Sequence, residues 1–175
     1  MENEFILITG PMFAGKSKYL IENYGNDKDV EAFSSTVNTR DNAIKSRAYK
    51  DKTIPCTKIS CPSEMLKSEK KIIIVDEYQF LGSVEMLKDT VLKLKEQNKK
   101  IVMAGLDLLA DGTEWSNYTE MKKLCDREVK LKAECIKCGK EASFTKLVEG
   151  DKTKSVQIEG GTVKYEPRCG KCYYE

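Results

Sequence analysis

The feature that most constrains this chain is a glycine-rich segment, residues 10–17, with the sequence Gly-Pro-Met-Phe-Ala-Gly-Lys-Ser. It matches the phosphate-binding pattern G-x-x-x-x-G-K-[ST] at every specified position. Its glycines let backbone N–H groups point at phosphate oxygens, while Lys16 supplies positive charge and Ser17 offers a hydroxyl to Mg²⁺. A β-like run precedes the segment and helix-forming residues follow it. This strand–loop–helix context favours a phosphate-binding loop over a chance glycine-rich turn.

Strand-like and helix-like segments alternate along the first two thirds of the chain. Residues 71–75 and 101–104 are aliphatic runs typical of buried parallel strands, and apolar residues between them are spaced as on one face of a helix. We therefore expect an α/β fold with a mainly parallel sheet. Residues 35–55 are polar and without a clear pattern, which predicts a mobile surface segment and no packed element.

Two adjacent acids, Asp76 and Glu77, follow the first of these aliphatic runs. Ligands in α/β folds bind beyond the carboxyl ends of the strands, where the phosphate-binding loop also lies. Asp76 is positioned to hold Mg²⁺, while Glu77 could face the group that accepts phosphate. The alternative is that both are solvated charges at the start of a loop.

Four of the seven cysteines form two C-x-x-C pairs, Cys135 with Cys138 and Cys169 with Cys172. Two such pairs predict one tetrahedral Zn²⁺ held by four thiolates. The two pairs are far apart in sequence, so the metal would hold together the two ends of a long loop. A redox role is the less favoured alternative, because a redox C-x-x-C normally occurs once, near a βαβ unit.

Composition excludes several classes of function. The chain has no histidine, so catalysis by a Ser-His or Cys-His pair and metal sites with histidine ligands are ruled out. The net charge of +2 gives no reason to expect nucleic-acid or membrane-surface binding. We expect neither a signal peptide nor a transmembrane span, and hence a cytoplasmic protein with its cysteines as thiols or metal ligands.

The combination of motifs resembles the zinc-containing, cytosolic (type II) thymidine kinases. The phosphate-binding loop is close to the family's version, and residues 76–80 (Asp-Glu-Tyr-Gln-Phe) resemble its Asp-Glu-x-Gln-Phe motif. Gly105-Leu106-Asp107 resembles its strand-end Leu-Asp, and residues 131–138 with 160–172 resemble its cysteine-containing region. The resemblance covers nearly the whole chain, from about residue 5 to residue 173.

The resemblance implies a P-loop (RecA-like) kinase domain in residues 1–128 and a small zinc-binding lasso domain in residues 129–175. It implies transfer of the γ-phosphoryl group of ATP to the 5′-hydroxyl of thymidine or deoxyuridine, in nucleotide salvage for DNA synthesis. Glu77 would then be the catalytic base, and Ser17 and Asp76 would hold Mg²⁺. Residues 10–17 (Gly10, Pro11, Met12, Phe13, Ala14, Gly15, Lys16, Ser17) and Arg40 would bind ATP. The resemblance also implies a homotetramer.

In the family, the loop between the cysteine pairs closes over the nucleoside. By resemblance, the residues contacting the nucleoside would be Met12, Phe80, Leu106, Trp115, Phe144, Thr145, Val156, Ile158 and Tyr165. Three positions depart from the family pattern: Asn38 replaces an aspartate, and Ala110 and Trp115 each replace a phenylalanine.

Two other functions remain open at this point. The first is a P-loop ATPase whose zinc ribbon binds nucleic acid, which would require a basic, aromatic face and salt-sensitive binding. The second is a regulatory ATP-binding protein without catalysis, against which the set Lys16, Ser17, Asp76 and Glu77 argues.

Overall fold

The computed structural model describes residues 3–38 and 42–175, and a seven-stranded sheet lies at its centre. The strands follow the spatial order β3-β4-β2-β5-β6-β1-β7, and every neighbouring pair is parallel except β3 with β4. The predicted α/β fold with a mainly parallel sheet is thus confirmed. The strands are β1 (Phe5–Thr9), β2 (Val30–Ser35), β3 (Ala43–Ser46), β4 (Tyr49–Ile59), β5 (Ile72–Asp76), β6 (Lys100–Gly105) and β7 (Arg127–Lys130).

Helices cover both faces of this sheet. They are α1 (Lys16–Tyr24), α2 (Val84–Glu96) and α3 (Ser116–Leu124), with short 3-10 helices at Pro62–Lys67 and Tyr78–Phe80. One core cluster joins Leu7 and Val75 to α2 and α3, and a second joins Ile8 and Ile74 to α1. Because both faces are buried, the central strands read as unbroken aliphatic runs.

The segment 35–55 differs from its prediction wherever it is described. It contains β3 and most of β4, which pair with each other, and β4 also pairs with β2 in parallel. Ile44, Ile54 and Cys56 are buried against the face covered by α1. Buried side chains on both strands and the ladder with β2 hold the hairpin in place although β4 also carries lysine, aspartate and threonine.

The C-terminal part forms two small antiparallel sheets and a last helix. Strand β8 (Ala133–Glu134) pairs with β9 (Glu141–Ala142), and β10 (Phe144–Glu149) pairs with β11 (Lys164–Arg168), before α4 (Gly170–Tyr174). Residues 150–163, between β10 and β11, are called the lasso loop below. The proposed domain division at residues 128 and 129 falls inside β7, which pairs with β1, so the large sheet continues to Lys130.

Within the described residues, every helix is too short or too polar to span a bilayer.

Candidate active site

The phosphate-binding loop joins β1 to α1 at the carboxyl edge of the sheet. Gly10 has a φ of 148°, and a Cβ there would lie 2.4 Å from the carbonyl oxygen of Leu131, so only glycine fits beside the chain that leaves β7. Phe13 and Gly15 are left-handed, with φ of 66° and 86°. These turns direct the loop back on itself and start α1 at Lys16, which places the positive end of the helix at the loop.

Lys16 is a buried cation beside three carboxylates. Its Nζ donates hydrogen bonds to the carbonyl oxygens of Gly10, at 3.0 Å, and Pro11, at 2.6 Å. Burial lowers the pKa of Lys16, and the charges of Glu77, Asp107 and Asp76 partly restore it. An ammonium held between backbone oxygens and acids, at the start of a helix, is suited to bind phosphate.

The acidic pair lies where β5 ends. Asp76 is the last residue of β5, and Glu77 follows in a left-handed conformation, with φ of 55°. Glu77 Oε2 accepts a hydrogen bond from Nε2 of Gln79. The two carboxylates are adjacent, but only Glu77 lines the cavity described next. This difference in position allows the two acids to have different roles.

A cavity of about 700 Å³ extends from the phosphate-binding loop to the lasso loop. Its polar end contains Lys16, Ser17 and Glu77, and its apolar wall contains Phe80 and Trp115, whose rings meet edge to face at 5.5 Å. The volume suits a small molecule, and one charged end beside an aromatic wall suits a ligand with a polar reacting group and a flat ring.

The C-terminal part closes this cavity through direct hydrogen bonds. The Thr145 hydroxyl accepts from the backbone N–H of Met12 at 3.0 Å, which connects β10 to the phosphate-binding loop. Tyr165 donates from its hydroxyl to the carbonyl oxygen of Gln157 at 2.8 Å, which ties β11 to the lasso loop. The Gln157 side chain bonds both the N–H and the carbonyl of Asp151, so the lasso loop has a defined conformation.

The four predicted zinc ligands come together. The sulfur atoms of Cys135, Cys138, Cys169 and Cys172 all lie within 4.8 Å of one another. Tetrahedral thiolates about 2.3 Å from Zn²⁺ lie roughly 3.8 Å apart, so the cluster fits this ion. The guanidinium of Arg168 pairs with Glu166 at 2.7 Å and also lies near enough to Cys135 and Cys172 to interact with their charges.

Most of the sequence-predicted site residues line one cavity. Three do not line it although they lie in the phosphate-binding loop or at the end of β5: Gly10, Pro11 and Asp76. Phe144 lies elsewhere, because its ring stacks on Tyr173 at 4.6 Å and contacts Tyr174 at 5.9 Å. Arg40 lies outside the described residues. The predicted residues that line the cavity are Met12, Phe13, Ala14, Gly15, Lys16, Ser17, Glu77, Phe80, Leu106, Trp115, Thr145, Val156, Ile158 and Tyr165.

Several residues that line the cavity received no role from the sequence, and they include Gln79 and Arg47. Gln79 belongs to the motif at residues 76–80, and its position two residues after Glu77 was the available signal. Arg47 lies between β3 and β4, and its guanidinium stands over the Phe13 ring at 4.9 Å. No sequence signal separated Arg47 from the many other charged residues of its segment.

Comparison with known proteins agrees with this geometry. A sequence profile of the thymidine kinase family matches residues 3–173. The chain is 31% identical over 174 residues to the thymidine kinase of Bacteroides fragilis strain YCH46, covering 95% of this chain and 85% of that protein. It is also 31% identical over 183 residues to the thymidine kinase of Myxoma virus strain Uriarra, covering 96% and 94% respectively. This chain therefore belongs to the thymidine kinase family.

Proposed function

We propose that this protein transfers the γ-phosphoryl group of ATP to the 5′-hydroxyl of thymidine or deoxyuridine and so serves nucleotide salvage. The proposal rests on one observation. Lys16, Glu77 and residues of the lasso loop all line the same cavity. One end of this cavity suits a triphosphate and the other suits a flat base, so donor and acceptor would meet at Glu77.

The donor would bind at the phosphate-binding loop. Its backbone N–H groups and the ammonium of Lys16 would hold the phosphates, and Arg47 at the rim brings a further cation to the same end of the cavity. Ser17 and Asp76 supply the hydroxyl and the carboxylate that a P-loop site uses for Mg²⁺. That ion, when bound, neutralises charge on the phosphate oxygens.

The acceptor would bind under the lasso loop. Aromatic side chains that line the cavity, Phe80, Trp115 and Tyr165, would contact a pyrimidine there. Val156 and Ile158 remain 41% and 45% exposed, so they present apolar surface that a bound base could cover. Phe144 is omitted from our proposal because its ring packs on Tyr173.

In the proposed reaction, the 5′-oxygen forms a bond to the γ-phosphorus while the bond from that phosphorus to the bridging oxygen breaks, releasing ADP. The proton of the 5′-hydroxyl passes to the carboxylate of Glu77. Phosphoryl transfer depends mostly on positioning and on charge neutralisation, so one carboxylate and the cations of the loop are an adequate set of groups.

The experiment that tests the proposal is a phosphate-transfer assay with ATP, Mg²⁺ and each deoxynucleoside in turn. We expect thymidine and deoxyuridine to be converted to their monophosphates. If both are inert while another nucleoside is phosphorylated, the substrate is misassigned. The next variants to make would then carry the family's phenylalanine in place of Ala110 and Trp115.

Glu77→Gln tests the assignment of the base. The amide cannot accept the proton, so we expect kcat to fall about 100-fold or more while the dissociation constant of ATP changes little. The measurements are steady-state kinetics with thymidine and titration calorimetry with ATP. An equal weakening of ATP binding would move Glu77 to the metal site.

Three further properties belong to the same proposal. We propose a cytoplasmic protein, a structural Zn²⁺ on the four cysteines and a homotetramer, the last on the family resemblance alone. Metal analysis should find about one zinc per chain, since four thiolates complete one tetrahedral site. Light scattering during gel filtration would measure the assembly.

A further inference from the structure

The side chain of Gln79 bridges two parts of the site. It is 5% exposed, its Nε2 donates to Glu77 Oε2, and its Oε1 accepts a hydrogen bond from the backbone N–H of Leu106 at 3.2 Å. Leu106 follows β6 and Glu77 follows β5, so one amide connects the ends of two neighbouring strands. A buried glutamine with partners for both ends of its amide is a fixed element of the site.

The orientation of this amide follows from its partners. The N–H of Leu106 can only donate, so it requires the amide oxygen. A reversed amide would set its NH₂ against that N–H and its oxygen against the carboxylate of Glu77, and both contacts would be repulsive. Gln79 is therefore held as a hydrogen-bond donor to Glu77.

The surrounding backbone keeps Gln79 in place. Nδ2 of Asn117, which is buried in α3, lies 3.3 Å from the carbonyl oxygens of both Tyr78 and Gln79. A Cβ at position 105 would lie 2.2 Å from Gln79 Oε1, so Gly105 leaves the space that the amide occupies. A buried asparagine thus fixes the backbone of residues 78 and 79, and a glycine leaves room for the Gln79 side chain that touches the proposed base.

We propose that Gln79 is a positioning residue for Glu77: its amide holds the carboxylate toward the acceptor hydroxyl. This inference rests on the proposed function. A carboxylate held in one rotamer is already placed beside the 5′-hydroxyl, so less ordering is needed to reach the reactive geometry.

Gln79→Met is the first test. Methionine has a similar length and no amide, so we expect kcat for thymidine to fall about 10- to 100-fold while the KM for thymidine changes less than about threefold.

Gln97→Met is the matched control. Gln97 closes α2 and makes one long bond, 3.4 Å, to the carbonyl oxygen of Leu66, away from the cavity. We expect its kcat and KM to equal those of the unmodified protein. A rise in the KM of Gln79→Met with kcat unchanged would overturn the inference and make Gln79 a substrate contact.

Gln79→Glu keeps the shape and tests the donor itself, including the case in which Gln79→Met fails to fold. An ionised carboxylate at this position accepts hydrogen bonds and cannot donate one to Glu77. We expect kcat for thymidine to fall about tenfold or more while the KM for thymidine changes less than about threefold. An unchanged kcat would reduce Gln79 to a structural residue and overturn the inference.

These outcomes are separable from failure of the proposed function. If the unmodified protein phosphorylates no nucleoside, the function is misassigned. If it phosphorylates thymidine and both Gln79 variants keep its kcat, only the positioning role is wrong.

Discussion

At the scale of single residues, Lys16 is the proposed phosphate-binding cation, and it lies in an environment that disfavours its charged form. Burial lowers its pKa from the ordinary 10.5, and the acids Glu77, Asp107 and Asp76 oppose that effect. Only the protonated ammonium attracts phosphate. Because its pKa is lowered, Lys16 loses this form at a lower pH than an exposed lysine does. Tyr165, in the same cavity, has its pKa raised by burial, so its phenol stays neutral over this range.

A pH prediction follows for ATP. We expect kcat/KM for ATP, which reports groups of the free enzyme, to fall as the pH rises toward 10.5, with its midpoint below that value. Lys16→Arg keeps a charge that does not titrate, so this alkaline limb should vanish although kcat/KM at neutral pH falls about 100-fold from poorer fit. Lys28→Arg, at an exposed position, is the control. Persistence of the limb in Lys16→Arg would assign it to another group.

At the scale of elements, the β3–β4 hairpin brings Arg47 over the phosphate-binding loop. Arg47 is the one arginine among the described residues that line the cavity, and it stands 4.9 Å from the centroid of the Phe13 ring. This contact keeps the guanidinium near the end of the cavity where phosphate charge would develop.

We expect Arg47→Ala to lower kcat/KM for ATP about tenfold, a modest loss because the side chain is exposed. Lys52→Ala is the control on the same hairpin, since Lys52 lies over the Tyr49 ring at 5.5 Å and does not line the cavity. Steady-state kinetics with varied ATP, at low and high salt, measure the effect. Equal losses in both variants would indicate a general charge effect in place of a specific contact.

The same elements show which parts of the fold could be predicted from the sequence. Strands β1, β5 and β6 were predicted from unbroken apolar runs, and helix α2 from apolar residues spaced as on one face of a helix. The sequence did not predict β2, the hairpin or α3: α3 buries Asn117, Tyr118 and Met121 among charged neighbours, a pattern too weak to recognise. Glu77 and the cysteines were accessible as motifs. The contacts of Gln79 and Arg47 were not, because Leu106 and Phe13 become their neighbours only in the folded chain.

At the scale of the whole molecule, the C-terminal part is fastened to the cavity wall through Tyr173. The hydroxyl of Tyr173, in α4, donates to the carbonyl oxygen of Ala110 at 2.6 Å, and its ring stacks on Phe144. Lys146 of β10 donates from Nζ to the Tyr173 carbonyl oxygen at 2.9 Å. Because Ala110 and its neighbours line the cavity and Cys172 is a proposed zinc ligand, this tyrosine connects the zinc cluster to the acceptor wall.

Tyr173→Phe should therefore affect the acceptor more than the donor. The ring stack remains and one hydrogen bond is lost, worth about 1 kcal/mol, so we expect the dissociation constant of thymidine to rise about fivefold if that energy holds the wall in its binding conformation. The ATP constant should stay within about twofold, because the phosphate-binding loop keeps all its contacts. Tyr174→Phe is the matched control, as the neighbouring tyrosine is 79% exposed. Titration calorimetry with each ligand separates the outcomes. Equal loss for ATP and thymidine would show general destabilisation, and no loss would show that the wall keeps its shape without the hydrogen bond from Tyr173.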